Sequence, residues 1–133
     1  MAFVADNSVI VAWFIQSQAT RYTERMLGRV ATEQVHVPAV GPLEFANVVA
    51  QLERRRRLKA EAASAILSQV ERIGLHVDAA APAPGRLVDV ARLYGLSAYD
   101  ASYLELALRL LLPLAASDGP LAAAAEKAGL RAG

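Results

Sequence analysis

Four carboxylates in this chain stand where a helix is expected to begin: Asp6, Glu44, Asp100 and Asp118. Asp6 follows the apolar Phe3-Val4-Ala5 and precedes Asn7-Ser8. Glu44 comes just after Gly41-Pro42, Asp100 lies three residues beyond Ser97, and Asp118 follows Ala116-Ser117 and precedes Gly119-Pro120. Singly, each has a structural explanation. Asp6 and Asp118 read as helix caps, and Glu44 and Asp100 complement helix dipoles. As a set they imply more, because two charges about 5 Å apart repel by roughly 3 kcal/mol at an effective dielectric near 20. A chain that crowds several acids together normally neutralises them with a hard cation or a shared proton. All-oxygen donors and the absence of cysteine favour Mg²⁺ or Mn²⁺ over zinc.

The segments around these acids say how they would be held. Leu96 to Leu106 reads as the first turns of a helix with Ser97 as N-cap. On that helix Tyr103, Leu104, Ala107, Leu108, Leu110 and Leu111 share a face, with Asp100 near its middle and Glu105 and Arg109 expected to point away. An inward carboxylate needs a partner, since an isolated buried charge is costly. After Pro42, residues Phe45, Val48, Val49 and Leu52 make an apolar face bordered by Glu44, Asn47 and Gln51. Asn47 suits a hydrogen bond to a carboxylate or phosphate oxygen and equally suits an exposed helix surface.

The whole chain of 133 residues, 55% hydrophobic and 20% charged, reads as one globular domain over 1–133. A net charge of +1 rules out whole-molecule attraction to nucleic acid, so any such contact must be local. No apolar run is long enough to span a membrane, and no basic leader precedes the first strand-like segment. With no cysteine, a reducing, cytoplasmic setting is expected. Strands are expected at Phe3–Ala5, Val35–Val37, Leu75–Val77 and Leu114–Ala115. Helices are expected over Val9–Ile15, Thr20–Glu33, Pro42 to about Arg57, Ala60–Ile73, Gly85–Tyr94, Ala98 to about Leu112, and Leu121–Ala128. The alternation predicts an α/β fold with a parallel sheet covered on both faces. In such a sheet, acids that follow strands gather at the carboxyl edge, where ligands bind.

The motifs Val4-Ala5-Asp6-Asn7-Ser8-Val9, Pro42-Leu43-Glu44-Phe45-Ala46-Asn47-Val48, Leu96-Ser97-Ala98-Tyr99-Asp100-Ala101 and Ala116-Ser117-Asp118-Gly119-Pro120-Leu121, in this order, resemble a PIN-domain protein. Within that superfamily the chain is most similar to VapC, the ribonuclease toxin of VapBC toxin–antitoxin pairs. The resemblance covers nearly the whole chain. It implies a three-layer fold with a central parallel sheet of four or five strands flanked by helices. It also implies an endoribonuclease that holds Mg²⁺ or Mn²⁺ on Asp6, Glu44, Asp100 and Asp118, with Ser8 and Asn47 as supporting polar residues. A homodimer and a cognate VapB-like antitoxin are further implications. Metal would then polarise the scissile phosphate and activate a water. Glu44 would ligate metal or orient that water, and one metal or two suit the acid count. Two departures from the family pattern stand out. Ala116 occupies a place that often carries Thr, with Ser117 beside it, and the chain stops at Gly129-Leu130-Arg131-Ala132-Gly133, where a fifth strand is expected to be truncated or absent.

A catalytically impaired RNA- or protein-binding module is the alternative, favoured by Ala116, and a phosphatase or phosphotransferase is a more remote one. The basic run Arg54, Arg55, Arg56, Arg57 and Lys59 suits RNA phosphates and equally suits a solvated helix end. His36 and His76 read as strand residues, and Trp13 and Phe14 as core or partner contacts. Asp78 follows a strand without a motif around it and is left out of the site.

Overall fold

The computed structural model describes all residues, 1–133. Its four parallel strands, β1 (Ala2–Ala5), β2 (Gln34–Val37), β3 (His76–Val77) and β4 (Leu114–Ala115), lie in the order β3-β2-β1-β4. Seven α-helices connect and cover them: α1 (Asn7–Phe14), α2 (Arg21–Arg29), α3 (Gly41–Arg54), α4 (Ala60–Ile73), α5 (Pro84–Tyr94), α6 (Ala98–Leu110) and α7 (Pro120–Lys127).

The two-residue period of β1 divides the core. Phe3 and Ala5 face one side and pack with Val35, Val37, Met26, Phe45, Val49 and Ile66 from β2 and α2–α4. Val4 faces the other side and packs with Val90, Leu104, Leu106, Leu121 and Ala125 from α5–α7. The result is helices, sheet, helices, three layers thick. From β1 the chain builds β2 and β3 on one flank, then crosses to place β4 on the other. The crevice between the carboxyl ends of β1 and β4 is therefore where the winding reverses, the place where such sheets bind ligands.

Several helix ends depart from expectation. The second helix stops at Arg29, because residues 30–33 form turns that deliver the chain to β2, held by an Arg29–Glu33 ion pair at 2.7 Å. α3 stops at Arg54, short of Arg57. Arg56 takes a left-handed conformation at φ 57° in the tight corner to α4. α6 closes at Leu110 on a left-handed Leu111, before Pro113. The fifth strand is reduced to one parallel bridge, Leu114 with Arg131. There the Leu114 N–H donates to the Leu130 carbonyl (2.7 Å) and the Ala132 N–H to the Leu114 carbonyl (2.9 Å). Glu105 does not point away from the core. It is 3% exposed and paired with Arg109 at 3.0 Å, because α6 is covered by α5 as well as by the sheet. Arg109 also holds Asp78 at 2.6 Å, which gives Asp78 a structural role.

Candidate metal centre

Asp6 terminates β1 and caps α1. Its Oδ1 accepts the Val9 N–H (2.9 Å) and the Ser8 hydroxyl (2.8 Å), so the carboxylate is fixed against the sheet edge. Burial pushes its carboxyl above the ordinary aspartate range. The Val9 and Ser8 hydrogen bonds pull it down, and the negative charges of Asp100 and Glu44 push it up again. Asp100 stands in the first turn of α6, where its N–H donates to Ser97 Oγ (3.1 Å), and burial raises its carboxyl too. The capping hydroxyl of Ser97 thus leaves the Asp100 side chain free for another role. Glu44, in the first turn of α3, accepts a hydrogen bond from the Tyr103 hydroxyl on Oε1 (2.8 Å).

Tyr103 joins the group. Burial, the hydrogen bond to Glu44 and the charges of Glu44, Asp6 and Asp100 all hold its phenol well above the ordinary tyrosine value, so it remains a neutral donor. Sequence reasoning placed Tyr103 on an apolar face and missed this contact. The signal was its spacing, since Asp100 and Tyr103 are i and i+3 on one helix and face the same way.

Asp6, Glu44 and Asp100 thus share one electrostatic field, and no lysine or arginine pairs with any of them. Asp118 is not brought to them. Its side chain is fully exposed and lies 3.7 Å from Arg131. Nor does it cap α7, as the sequence suggested. Gly119 takes the cap at φ 133°, and Pro120 at the start of the helix has no N–H to satisfy. Ala116 is fully buried, its N–H held by the Tyr22 hydroxyl (3.2 Å) and its carbonyl by Arg131 (3.1 Å). Ser117 lines a neighbouring cavity with Tyr22 and Arg131, and that pair is a further feature the sequence did not single out. Asn47 is exposed and shares a depression with Glu44, Leu43 and Tyr99. Arg54, Arg55, Arg56, Arg57 and Lys59 are exposed at the far end of α3, roughly 15 Å along the helix from Glu44 at 1.5 Å per residue. His36 and His76 sit on adjacent strands with ring centroids 4.6 Å apart, and Phe14 packs edge-on against Phe45. The most apolar cavity, between α3 and α4 near Phe45 and Leu67, contains none of the site's carboxylates.

Three uncompensated carboxylates with only oxygen donors fit a hard divalent cation. No three acidic or histidine side chains are already gathered closely enough to ligate one ion directly. That suits an ion such as Mg²⁺, which takes one or two carboxylates and keeps several waters or substrate oxygens.

The PIN domain family matches residues 3–127. No curated protein matches the chain. Among solved structures, the crystal structure of PAE2754 from Pyrobaculum aerophilum is similar in fold. It is 23% identical, with a TM-score of 0.73 over 93% of this chain and 79% of that one. With nearly its full length accounted for by the family, and with the layered parallel sheet that carries these acids, the chain belongs to the PIN domain family, whose members are generally metal-dependent nucleases.

Proposed function

We propose that this protein is a Mg²⁺- or Mn²⁺-dependent endoribonuclease. The observation that carries the reading is the half-buried acidic triad Asp6, Glu44 and Asp100, which stands at the sheet's carboxyl edge without a basic partner. A divalent ion bound there would polarise the scissile phosphate and lower the pKa of a bound water. Asp6 and Asp100 present oxygens to the ion, with Ser8 fixing the first. Glu44, one oxygen held by Tyr103, keeps the other for the ion or for orienting the attacking water. In this reading the exposed Asp118 would serve as an outer ligand, with Ser117 beside it.

The test is RNA cleavage by purified protein with and without Mg²⁺. Asp6→Asn keeps an oxygen for the α1 cap, so the fold is retained while cleavage falls more than about 100-fold. Unchanged turnover in that variant would sink the assignment.

We further propose that the protein is the toxin of a type II toxin–antitoxin pair, a VapC-type homodimer acting in the cytoplasm and silenced by a VapB-like antitoxin. The motif resemblance supports this. Growth arrest on induction, relieved by co-expressing a small DNA-binding protein encoded next to it, checks it. A second reading, an RNA- or protein-binding module that does not cut, is favoured by the outward Asp118 and the missing hydroxyl at Ala116. Tight RNA binding without Mg²⁺-dependent cleavage would select it.

A further inference from the structure

Near the strand end that carries Asp6 lies a cavity of 490 Å³ lined by Thr20, Arg21, Tyr22, Arg25, Ser117, Asp118 and Arg131, with three basic side chains against one acid. One backbone step separates the two. The Asp6 N–H donates to the Ala115 carbonyl (3.0 Å), and the next residue, Ala116, donates to the Tyr22 hydroxyl (3.2 Å). That hydroxyl donates in turn to the Ala132 carbonyl (2.8 Å), so the Tyr22 ring is a fixed post. The guanidinium carbons of Arg131 and Arg25 lie 4.9 and 5.5 Å from its centroid. Arg131 is anchored through the Ala116 carbonyl and Glu126 (2.8 Å).

Arg21 and Arg25 are different. Both are exposed, neither pairs with an acid, and they stand four residues apart on α2, where like charges oppose helix stability. Neither charge is neutralised by an acid, and Arg25 meets only the face of the Tyr22 ring. Guanidinium forks match phosphate oxygens in pairs, and hydroxyls such as Ser117 extend that recognition.

We propose that Arg21, Arg25 and Arg131 form a clamp for the phosphodiester backbone of RNA, holding the strand beside the acidic centre. The proposal rests on the ribonuclease reading for its choice of polyanion. An acidic protein segment is the competing occupant. RNA is favoured because three guanidinium groups and a hydroxyl line the cavity, and because the hydrogen bonds Asp6–Ala115 and Ala116–Tyr22 set it next to the strand end that carries Asp6. Arg54–Arg57, the basic run the sequence singled out, lie a helix length from the triad, whereas this cluster does not depend on them.

The experiment measures binding of a fluorescein-labelled, single-stranded 20-nucleotide RNA pool by anisotropy in EDTA across a salt series, and separately RNA cleavage in Mg²⁺. Arg21→Gln/Arg25→Gln is expected to fold, by circular dichroism, and to weaken binding about tenfold or more. The slope of log Kd against log salt is expected to fall by about 1.4, or 0.7 for each lost contact to a single strand. In cleavage, KM rises while kcat stays within about twofold, as for phosphate contacts that position without reacting. Arg72→Gln, on the exposed end of α4, controls for net charge and should change neither. Unchanged Kd, slope and KM in the double variant would overturn the clamp even if the wild type cleaves RNA. A wild type that binds with the salt slope above but never cleaves would sink the ribonuclease reading and leave the clamp standing. Loss of binding to a poly-glutamate peptide with RNA binding intact would reassign the cavity to a protein partner and overturn the proposal.

Discussion

Asp6 carries two duties that pull in opposite directions. As the cap of α1 it is favourable, accepting the Val9 N–H and the Ser8 hydroxyl. As a half-buried carboxylate it is unfavourable, because partial burial first, and then the charges of Asp100 and Glu44, push its carboxyl above the ordinary range. Asn can keep the cap and remove the charge, so the two duties can be separated. Asp6→Asn should raise the stability of metal-free protein by on the order of 1 kcal/mol, the usual gain from relieving a strained functional site. For wild type, Mg²⁺ should stabilise by mass action, about 2.7 kcal/mol at one hundred times its Kd, and EDTA should remove that increment. The variant should show little or none of it. Thermal unfolding of both proteins with Mg²⁺ and with EDTA measures all four states. An Asp6→Asn protein that is less stable without metal, or gains as much from Mg²⁺ as wild type, would contradict the balance described. Tyr103→Phe tests the neighbouring contact. Glu44 loses its one hydrogen bond from the protein, and cleavage is expected to fall about tenfold, with stability lower by about 1 kcal/mol. Mg²⁺-dependent turnover and urea unfolding report the two effects separately.

At the scale of elements, β2 and β3 carry a pH response independent of the site. His36 on β2 lies against His76 of β3, the rings tilted by 44°, and its buried Nδ1 has no hydrogen-bond partner. Burial, and then the charge His76 would carry, hold His36 below the ordinary 6.5, while Asp78 opposes them. Between 6.5 and that lower folded value the unfolded chain binds more protons than the native one. Stability therefore falls as pH drops below 6.5 and levels off once native His36 is also charged. His36→Val, a strand-compatible change, should flatten urea midpoints between about pH 7 and 5 without altering the slope of unfolding with denaturant. An unchanged pH profile would remove His36 from the account. The same elements show what a sequence discloses. The periodicity of Ala60–Ile73 and the Pro113 break gave α4 and β4 at their observed bounds, because local pattern and punctuation coincide there. Helix ends at Arg29 and Arg54 were not legible, since tertiary geometry, not propensity, turns the chain toward β2 and α4. Glu105 was misread because a helix buried on nearly all sides has no polar face for a wheel to find. Asp6 and Glu44 could be placed from strand-to-helix position, and Asp100 from the Ser97 cap and the inward face of its helix. The direction of Asp118 depends on Gly119 and on Arg131, thirteen residues later, and no local pattern encodes that pairing.

The whole molecule depends on how its short sheet is closed at the edges. β3 is two residues long and exposed, too short to recruit another strand readily. On the opposite side β4 is also two residues, and the edge is covered only by the single bridge at Arg131. That bridge does more than cover. Through Ala132 it receives the Tyr22 hydroxyl, and through Arg131 it grips the Ala116 carbonyl, so the last residues tie α2, β4 and the strand end next to Asp6 into one unit. Replacing Ala132 with proline deletes the N–H that donates to the Leu114 carbonyl, while the Ala132 carbonyl stays available to Tyr22. One buried backbone acceptor then loses its partner, at a cost of about 1–3 kcal/mol. For a domain of this size the melting temperature should drop by roughly 4 °C per kcal/mol, read by differential scanning calorimetry. The opened β4 edge should also promote association beyond the wild-type oligomer, visible as a larger concentration-dependent increase in sedimentation coefficient than wild type shows. The loss should reach the site, because Ala115, one residue beyond Leu114, accepts the Asp6 N–H. Mg²⁺-dependent cleavage is therefore expected to fall with the edge, at temperatures well below unfolding. If Ala132→Pro melts and sediments like wild type, the edge is closed by other contacts and the tail is dispensable to the fold.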